Sequence, residues 1–250
     1  DSILRISDSL AVLISLDGFE EENNLVRGQN VYQKVIQNID LLLKLKETGE
    51  FRGEISINCV ISTAMVPKLF DFLTFFEGKG VNTVYLCFPW YLPPDASDRM
   101  DVYFKTTFHF LGQIDDNVAA SWHSYTYQLN PEVLDRLIQE VNRINERIWK
   151  IRIRFQPALE LDEIGDFIKG KDVAAQKRTT CLATSTRMNV LPSWNVTVCK
   201  MFPEFSVGNL FDEDVAQLWQ NETFNKGREI LACGLMPICS KCILLYLHGG

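Results

Sequence analysis

The feature that most constrains the fold of this chain is a recurrence of short strand-like runs, each closed by a turn residue and spaced by helical periodicity. Leu10-Ala-Val-Leu-Ile-Ser-Leu-Asp17 runs up to Gly18. Glu54 to Ser62 is rich in β-branched residues, Thr83 to Phe88 stops at Pro89, and residues 150–156 stop at Pro157. The first run reads as a buried parallel strand and the others as further strands. Between them, Val35, Ile36, Ile39, Leu42 and Leu43 share one helical face, and a second helix over about residues 67–76 is closed by Gly78 and Gly80. A third helix starts at Asn130, its cap, with Val133, Leu134, Leu137, Ile138, Val141 and Ile144 inward. Strand–helix repetition of this kind predicts an α/β fold with a parallel sheet, open or rolled into a barrel.

Residues 89–130 break the rhythm with Pro93-Pro94 and a crowd of aromatics that includes Trp90, Tyr91, Phe104, Phe108, Phe110, Trp122, Tyr125 and Tyr127. Such an insertion at a strand's C-terminal end is either a lid or substrate loop, or one or two helices packed on the core. Composition changes again after about Gly165, where a polar, basic stretch precedes five of the seven cysteines. The expected organisation is therefore a domain over residues 1–165 and another over 166–250. The net charge of −7 and the dispersal of the basic residues argue against a nucleic-acid partner. No apolar run approaches the roughly 18 residues of a membrane helix, and no signal peptide opens the sequence. A cytoplasmic setting is expected, where clustered cysteines bind metal or do redox work.

Cys181 is followed after seventeen residues by Cys199, and after thirty-nine more by Cys239-Ser-Lys-Cys242. One Cys-x-x-Cys turn and two distant thiols make a four-thiolate shell, which suits zinc or an iron–sulfur cluster. Spacing alone leaves that choice open. Arg187 to Val198 reads as a β-hairpin turning at Ser193–Asn195. Gly208-Asn-Leu210, Leu218-Trp219, Arg228-Glu-Ile-Leu231 and the closing Cys239-Ser-Lys-Cys242 then follow in order. Over residues 181–245 this series resembles the SPASM/twitch domain of radical SAM proteins, in its shorter single-cluster form. The resemblance implies that Cys181, Cys199, Cys239 and Cys242 ligate an auxiliary [4Fe–4S] cluster. The family's turn glycine is replaced by Trp194-Asn195, and asparagine tolerates the left-handed backbone such a turn needs.

The resemblance extends upstream. Ile14-Ser15-Leu16-Asp17-Gly18, Leu25-Val26-Arg27-Gly28 and the helix after them look like the fourth strand and helix of a radical SAM barrel. That implies the C-terminal part of a partial (β/α)6 TIM-like barrel followed by a small α+β SPASM/twitch domain. Strand alternation puts Ser15 and Asp17 on one face at the strand's C-terminal end, the catalytic mouth of such barrels. The resemblance implies that Ser15 helps hold the SAM ribose or methionyl group, with Arg27 nearby; the family's His-Asp before that arginine is Asn23-Asn24 here. Asp17 reads either as a second cofactor contact or as a turn residue before Gly18. Asn58 and Ser62 project to the barrel interior, Asn58 as a further cofactor contact. Cys59 and Cys87 read as core packing. Arg152, Arg154 and Gln156 share a strand face that either meets a carboxylate or faces solvent. His109, His123 and His248 have no spaced partner, and no catalytic role is assigned to them.

Radical SAM chemistry needs a Cys-x-x-x-Cys-x-x-Cys loop, and the sequence contains none. The expectation is a fragment of a radical SAM/SPASM-type enzyme that binds an auxiliary [4Fe–4S] cluster and is itself inactive. The parent protein would bind S-adenosyl-L-methionine and a second [4Fe–4S] cluster. Its 5′-deoxyadenosyl radical would act on a peptide or small molecule, with electrons from flavodoxin or ferredoxin, and with neither nucleic acid nor membrane as partner. The alternative is a non-catalytic degenerate paralogue or a zinc-stapled binding module.

Overall fold

The computed structural model describes residues 2–112 and 118–249. Helix α1 (Ser2–Arg5) leads into strand β1 (Ala11–Ser15), and α2 (Glu20–Arg27) and α3 (Val31–Glu47) follow. Next come β2 (Glu54–Val60), α4 (Leu69–Lys79), β3 (Thr83–Cys87), α5 (Pro94–Thr107), α6 (Leu134–Asn145) and β4 (Arg152–Gln156). The C-terminal part holds α7 (Leu161–Ile168), α8 (Ala183–Thr186), β5 (Asn189–Val190), β6 (Asn195–Thr197) and β7 (Ser206–Asn209). Helices α9 (Val215–Gln220), α10 (Glu222–Cys233) and α11 (Ile243–His248) complete the chain. Two compact units result: Asp1–Pro89 with Leu129–Gly165, and Trp90–Gln128 with Asp166–Gly250.

The first unit is built on the parallel sheet β1-β2-β3-β4, in sequence order. Ile55, Ile57 and Cys59 of β2 and Val84 and Leu86 of β3 are wholly buried. Helices α3, α4 and α6 likewise bury Ile39, then Leu69, Phe72, Leu73 and Phe76, then Leu137, Val141 and Ile144. Asn130 caps the turn leading into α6 by accepting from the Glu132 amide at 3.0 Å. The other face of the sheet is polar. Register places Ser15 beside Asn58, Asn58 beside Tyr85, and Tyr85 beside Arg154, one side chain from each strand in a continuous row. This differs from a sheet buried on both faces. The β1 run is apolar throughout because Ala11 and Leu13 occupy its polar-side positions, and Leu13 remains 57% exposed.

In the second unit, β5, β6 and β7 form an antiparallel sheet. Of the two readings of residues 89–130, packed helix is what the described residues show. Met100, Phe104, Phe108 and Trp122 share one buried cluster with Val196, Val198, Phe202, Phe205, Leu218, Phe224 and Leu231. The rings meet edge to face, the geometry their quadrupoles favour: Phe104 and Phe205 at 5.2 Å, Phe108 and Phe205 at 4.9 Å. Trp122 lies against Phe202 at 5.9 Å.

Phe205 is therefore the hub on which the inserted helix and the C-terminal residues converge. Phe205→Ala should lower unfolding free energy by about 3–5 kcal/mol in denaturant titration. A loss below about 1 kcal/mol would show that these rings are not close-packed.

Candidate metal centre

Four thiols from three stretches of the second unit line one cavity. Cys181 makes a β-bridge with Gly249 just before α8, and Cys199 follows β6 by two residues. Cys239 opens the tight turn Cys239–Lys241, and Cys242 is the N-cap residue of α11. In that turn the Cys239 amide donates to the Met236 carbonyl, and the Cys242 amide to the Cys239 carbonyl, each at 3.0 Å. The rest of the cavity lining is largely apolar and includes Val198, Met201, Phe202, Leu231, Met236, Ile238, Leu244 and Leu245. None of the cysteines is in a disulfide.

The electrostatics follow from that lining. Burial pushes the Cys199 thiol up to about 12, with the neighbouring Cys242 and Cys181 sulfurs adding to the effect. Burial also raises Cys239 well above the ordinary thiol range, and raises Cys242. Backbone groups oppose this: the amides of Met201 and Phe202 at Cys199, and of Leu244 and Leu245 at Cys242, favour the thiolate. A dry cavity lined by four thiols, with amide donors aimed at Cys199 and Cys242, suits a cationic guest that would stabilise the thiolate forms. A four-thiol lining of this kind suits an iron–sulfur cluster or a tetrahedral zinc ion.

The motif residues around the cavity act as a frame. Gly208 lets β7 approach α9, because a Cβ there would lie 2.4 Å from Leu218 Cδ2. Gly227 does the same for α10, where a Cβ would meet Val198 Cγ2 at 2.8 Å. Asn209 locks the hairpin turn, donating from Nδ2 to the Ser193 carbonyl at 3.1 Å and to Asn195 Oδ1 at 2.7 Å. The left-handed residue of that turn is Trp194, with φ 64°, and not Asn195. Asn195 instead pairs in β6, and Trp194 rests edge-on against Phe211 at 5.4 Å. The Arg228 guanidinium lies between the rings of Trp219 and Phe224, at 3.8 and 4.1 Å. It donates from Nε to the Thr184 carbonyl at 3.1 Å and from Nη1 to the Trp219 carbonyl at 2.9 Å, tying α8 and α9 to α10.

The upstream positions lie in the first unit. Asp17 is buried and fully engaged: Oδ1 accepts from the Val60 amide at 2.9 Å, and Oδ2 pairs with Arg27 Nη2 at 2.7 Å. Its own amide donates to Asn23 Oδ1 at 3.0 Å. Ser15 is exposed beside Asn58 in the polar row. Asn58 Oδ1 accepts from the Cys87 thiol at 3.1 Å. Cys59 is core, as its strand pattern implies, but Cys87 is only half-buried and shares the polar face with Asn58. Asn23, wholly buried against Asp17, is the residue that sequence reasoning passed over; its only signal was its place in the stretch before Arg27.

Arg228→Lys keeps the charge but loses the planar fork and the stacking, so it should destabilise the second unit by about 1.5–3 kcal/mol. Thermal unfolding with and without bound iron would measure this. The raised thiols carry a pH signature. Their folded values exceed the unfolded one, so they stabilise the metal-free protein below about pH 8.5, and this is lost as pH rises towards 12. The melting temperature of metal-free protein should fall between pH 8.5 and 11, and that of a Cys199→Ala/Cys239→Ala variant should fall less.

Residues 181–243 match the sequence model of the SPASM family, an iron–sulfur cluster-binding domain. No curated protein matches the sequence. Among solved structures the chain is similar to the native anaerobic sulfatase-maturating enzyme anSMEcpe with bound AdoMet and Cp18Cys peptide. That match has 16% identity and TM-score 0.51, and covers 99% of this chain and 62% of that one. Streptococcus suis SuiB bound to S-adenosylmethionine matches at 15% identity and TM-score 0.54, over 98% of this chain and 52% of that one. SuiB bound to its precursor peptide SuiA matches at 16% identity and TM-score 0.52, over the same shares. At such identities the likeness is one of fold, and the chain spans between about half and two thirds of these structures' length. The chain thus carries a SPASM iron–sulfur cluster-binding domain and shares the fold of radical SAM/SPASM enzymes.

Proposed function

We propose that this chain supplies the auxiliary-cluster part of a radical SAM/SPASM enzyme that modifies a peptide. The observation that carries the proposal is the cavity that Cys181, Cys199, Cys239 and Cys242 line together, within the residues that match an iron–sulfur cluster-binding domain. These four residues would hold a [4Fe–4S] cluster, which when bound offers a one-electron carrier. The amides of Met201, Phe202, Leu244 and Leu245 would stabilise the negative charge on its sulfur ligands.

In this reading the four-stranded sheet is the C-terminal part of a partial (β/α)6 barrel, and its polar face is the reaction surface. Ser15 and Asn58 would hydrogen-bond the ribose or methionyl group of S-adenosyl-L-methionine. Asp17, with both oxygens engaged, would fix Arg27 beside the end of β1. Two of the solved structures that this chain resembles hold bound peptides, Cp18Cys and SuiA, which favours a peptide over a small metabolite here. The sequence holds no Cys-x-x-x-Cys-x-x-Cys loop. Radical generation is therefore proposed only where such a loop and its own [4Fe–4S] cluster are also present, fed by a flavodoxin- or ferredoxin-like reductant in a reducing compartment.

Anaerobic reconstitution with iron and sulfide tests the reading. About four irons and four sulfides per chain are expected, with a reduced-cluster EPR signal, all lost in Cys239→Ala/Cys242→Ala. One zinc per chain with no bound sulfide would replace the proposal with a structural zinc module.

A further inference from the structure

The second unit contains another set of metal-ligating side chains, away from the cysteine residues. Asp98, Asp101 and His123 bring one ligand atom each to within 4.8 Å of one another. Asp98 and Asp101 stand three residues apart on α5, so both carboxylates leave the same helix face. His123 comes from the tight turn Ser121–Ser124, and its Nε2 lies 3.0 Å from each oxygen of Asp101. That is the separation of adjacent donors on a six-coordinate ion with bonds of about 2.1 Å.

The frame around these donors is fixed. The Trp122 indole N–H donates to Asp101 Oδ1 at 2.8 Å, and Trp122 is wholly buried, which holds the carboxylate in one orientation. The hydroxyl of Ser97 reaches the Trp122 carbonyl at 3.5 Å, and Ser121 Oγ donates to Glu204 Oε2 at 2.7 Å, so both sides of the turn are anchored. A buried donor orienting a ligand carboxylate is the support that metal sites need. Asp98 faces solvent, which leaves room for water in the remaining coordination positions. One imidazole and two carboxylates, with no thiolate, favour a borderline first-row divalent ion over the soft chemistry of the cysteine cavity.

We propose that Asp98, Asp101 and His123 bind one such divalent cation, of the nickel or zinc type, which braces the 121–124 turn against α5. The site would clamp the inserted segment between β3 and α6 independently of the iron–sulfur domain's thiols.

The test is calorimetric titration of Ni²⁺ into the cluster-loaded protein, with iron and sulfide assayed before and after. The expected result is one Ni²⁺ per chain, a higher melting temperature and unchanged iron. Affinity should fall at least about tenfold in Asp98→Asn and in His123→Ala. Asp98→Asn is the decisive variant: its position is exposed and it leaves the His123–Asp101 contact intact, so it separates cation binding from a simple hydrogen-bonded pair. Absence of saturable binding, binding undiminished in Asp98→Asn, or Ni²⁺ uptake only with loss of iron would each overturn the site.

Discussion

Desolvation of three thiols, Cys199, Cys239 and Cys242, governs the cysteine cavity of the second unit. Hydrophobic burial ordinarily stabilises a domain in proportion to the apolar area removed from water, but Cys199 and Cys239 are drawn into the same dry interior and kept neutral by it. Neutral thiols are poor metal ligands and poor hydrogen-bond partners, so the interior around them is held open by the surrounding frame. A cation held by these four residues, as proposed above, would reverse the balance by favouring the thiolates and making use of the amides aimed at Cys199 and Cys242. Metal loading of this unit would then be coupled to its folding.

Gly208 and Gly227 are needed because Leu218 and Val198 occupy the space their side chains would take. Asn209 closes a turn whose left-handed residue is a tryptophan, and so compensates for the missing glycine with two hydrogen bonds. Arg228 combines stacking between two rings with donation to two carbonyls, which is why its burial is tolerated although desolvation lowers its pKa. Gly227 and Arg228 thus reach residues that line the cavity, Val198 and Thr184, while Gly208 and Asn209 hold β7 and the hairpin turn.

Much of this was legible in sequence because it is local. The strands at 11–15, 54–60, 83–87 and 152–156 fall inside the strand-like runs, and Asn130 caps its turn as expected. The cysteine spacing led to the four residues that share the cavity. What escaped depends on contacts distant in sequence. Met100, Phe104, Phe108 and Trp122 share their core with residues between Val196 and Leu231, a partnership that no local periodicity encodes. The polar row Ser15–Asn58–Tyr85–Arg154 exists only once strand register is known. His123 has no partner at motif spacing, yet the fold sets it against a carboxylate twenty-two residues earlier. The left-handed Trp194 was invisible because residue type favoured its neighbour.

The polar face of the first unit divides its side chains by how much freedom they retain. Asp17 spends both oxygens and its amide on Val60, Arg27 and Asn23, so it joins the ends of β1 and β2 and holds α2 over them. Each oxygen of its carboxylate already has a protein partner. Arg152 is likewise engaged, with Glu54 and Thr83. Ser15 and Arg154 stand exposed at opposite edges of the same row, with Asn58 and Tyr85 half-buried between them. A ligand lying along that row would meet a hydroxyl at one end and a guanidinium at the other. The register of four parallel strands fixes the separation of those two groups, and the guanidinium end would favour an anionic group.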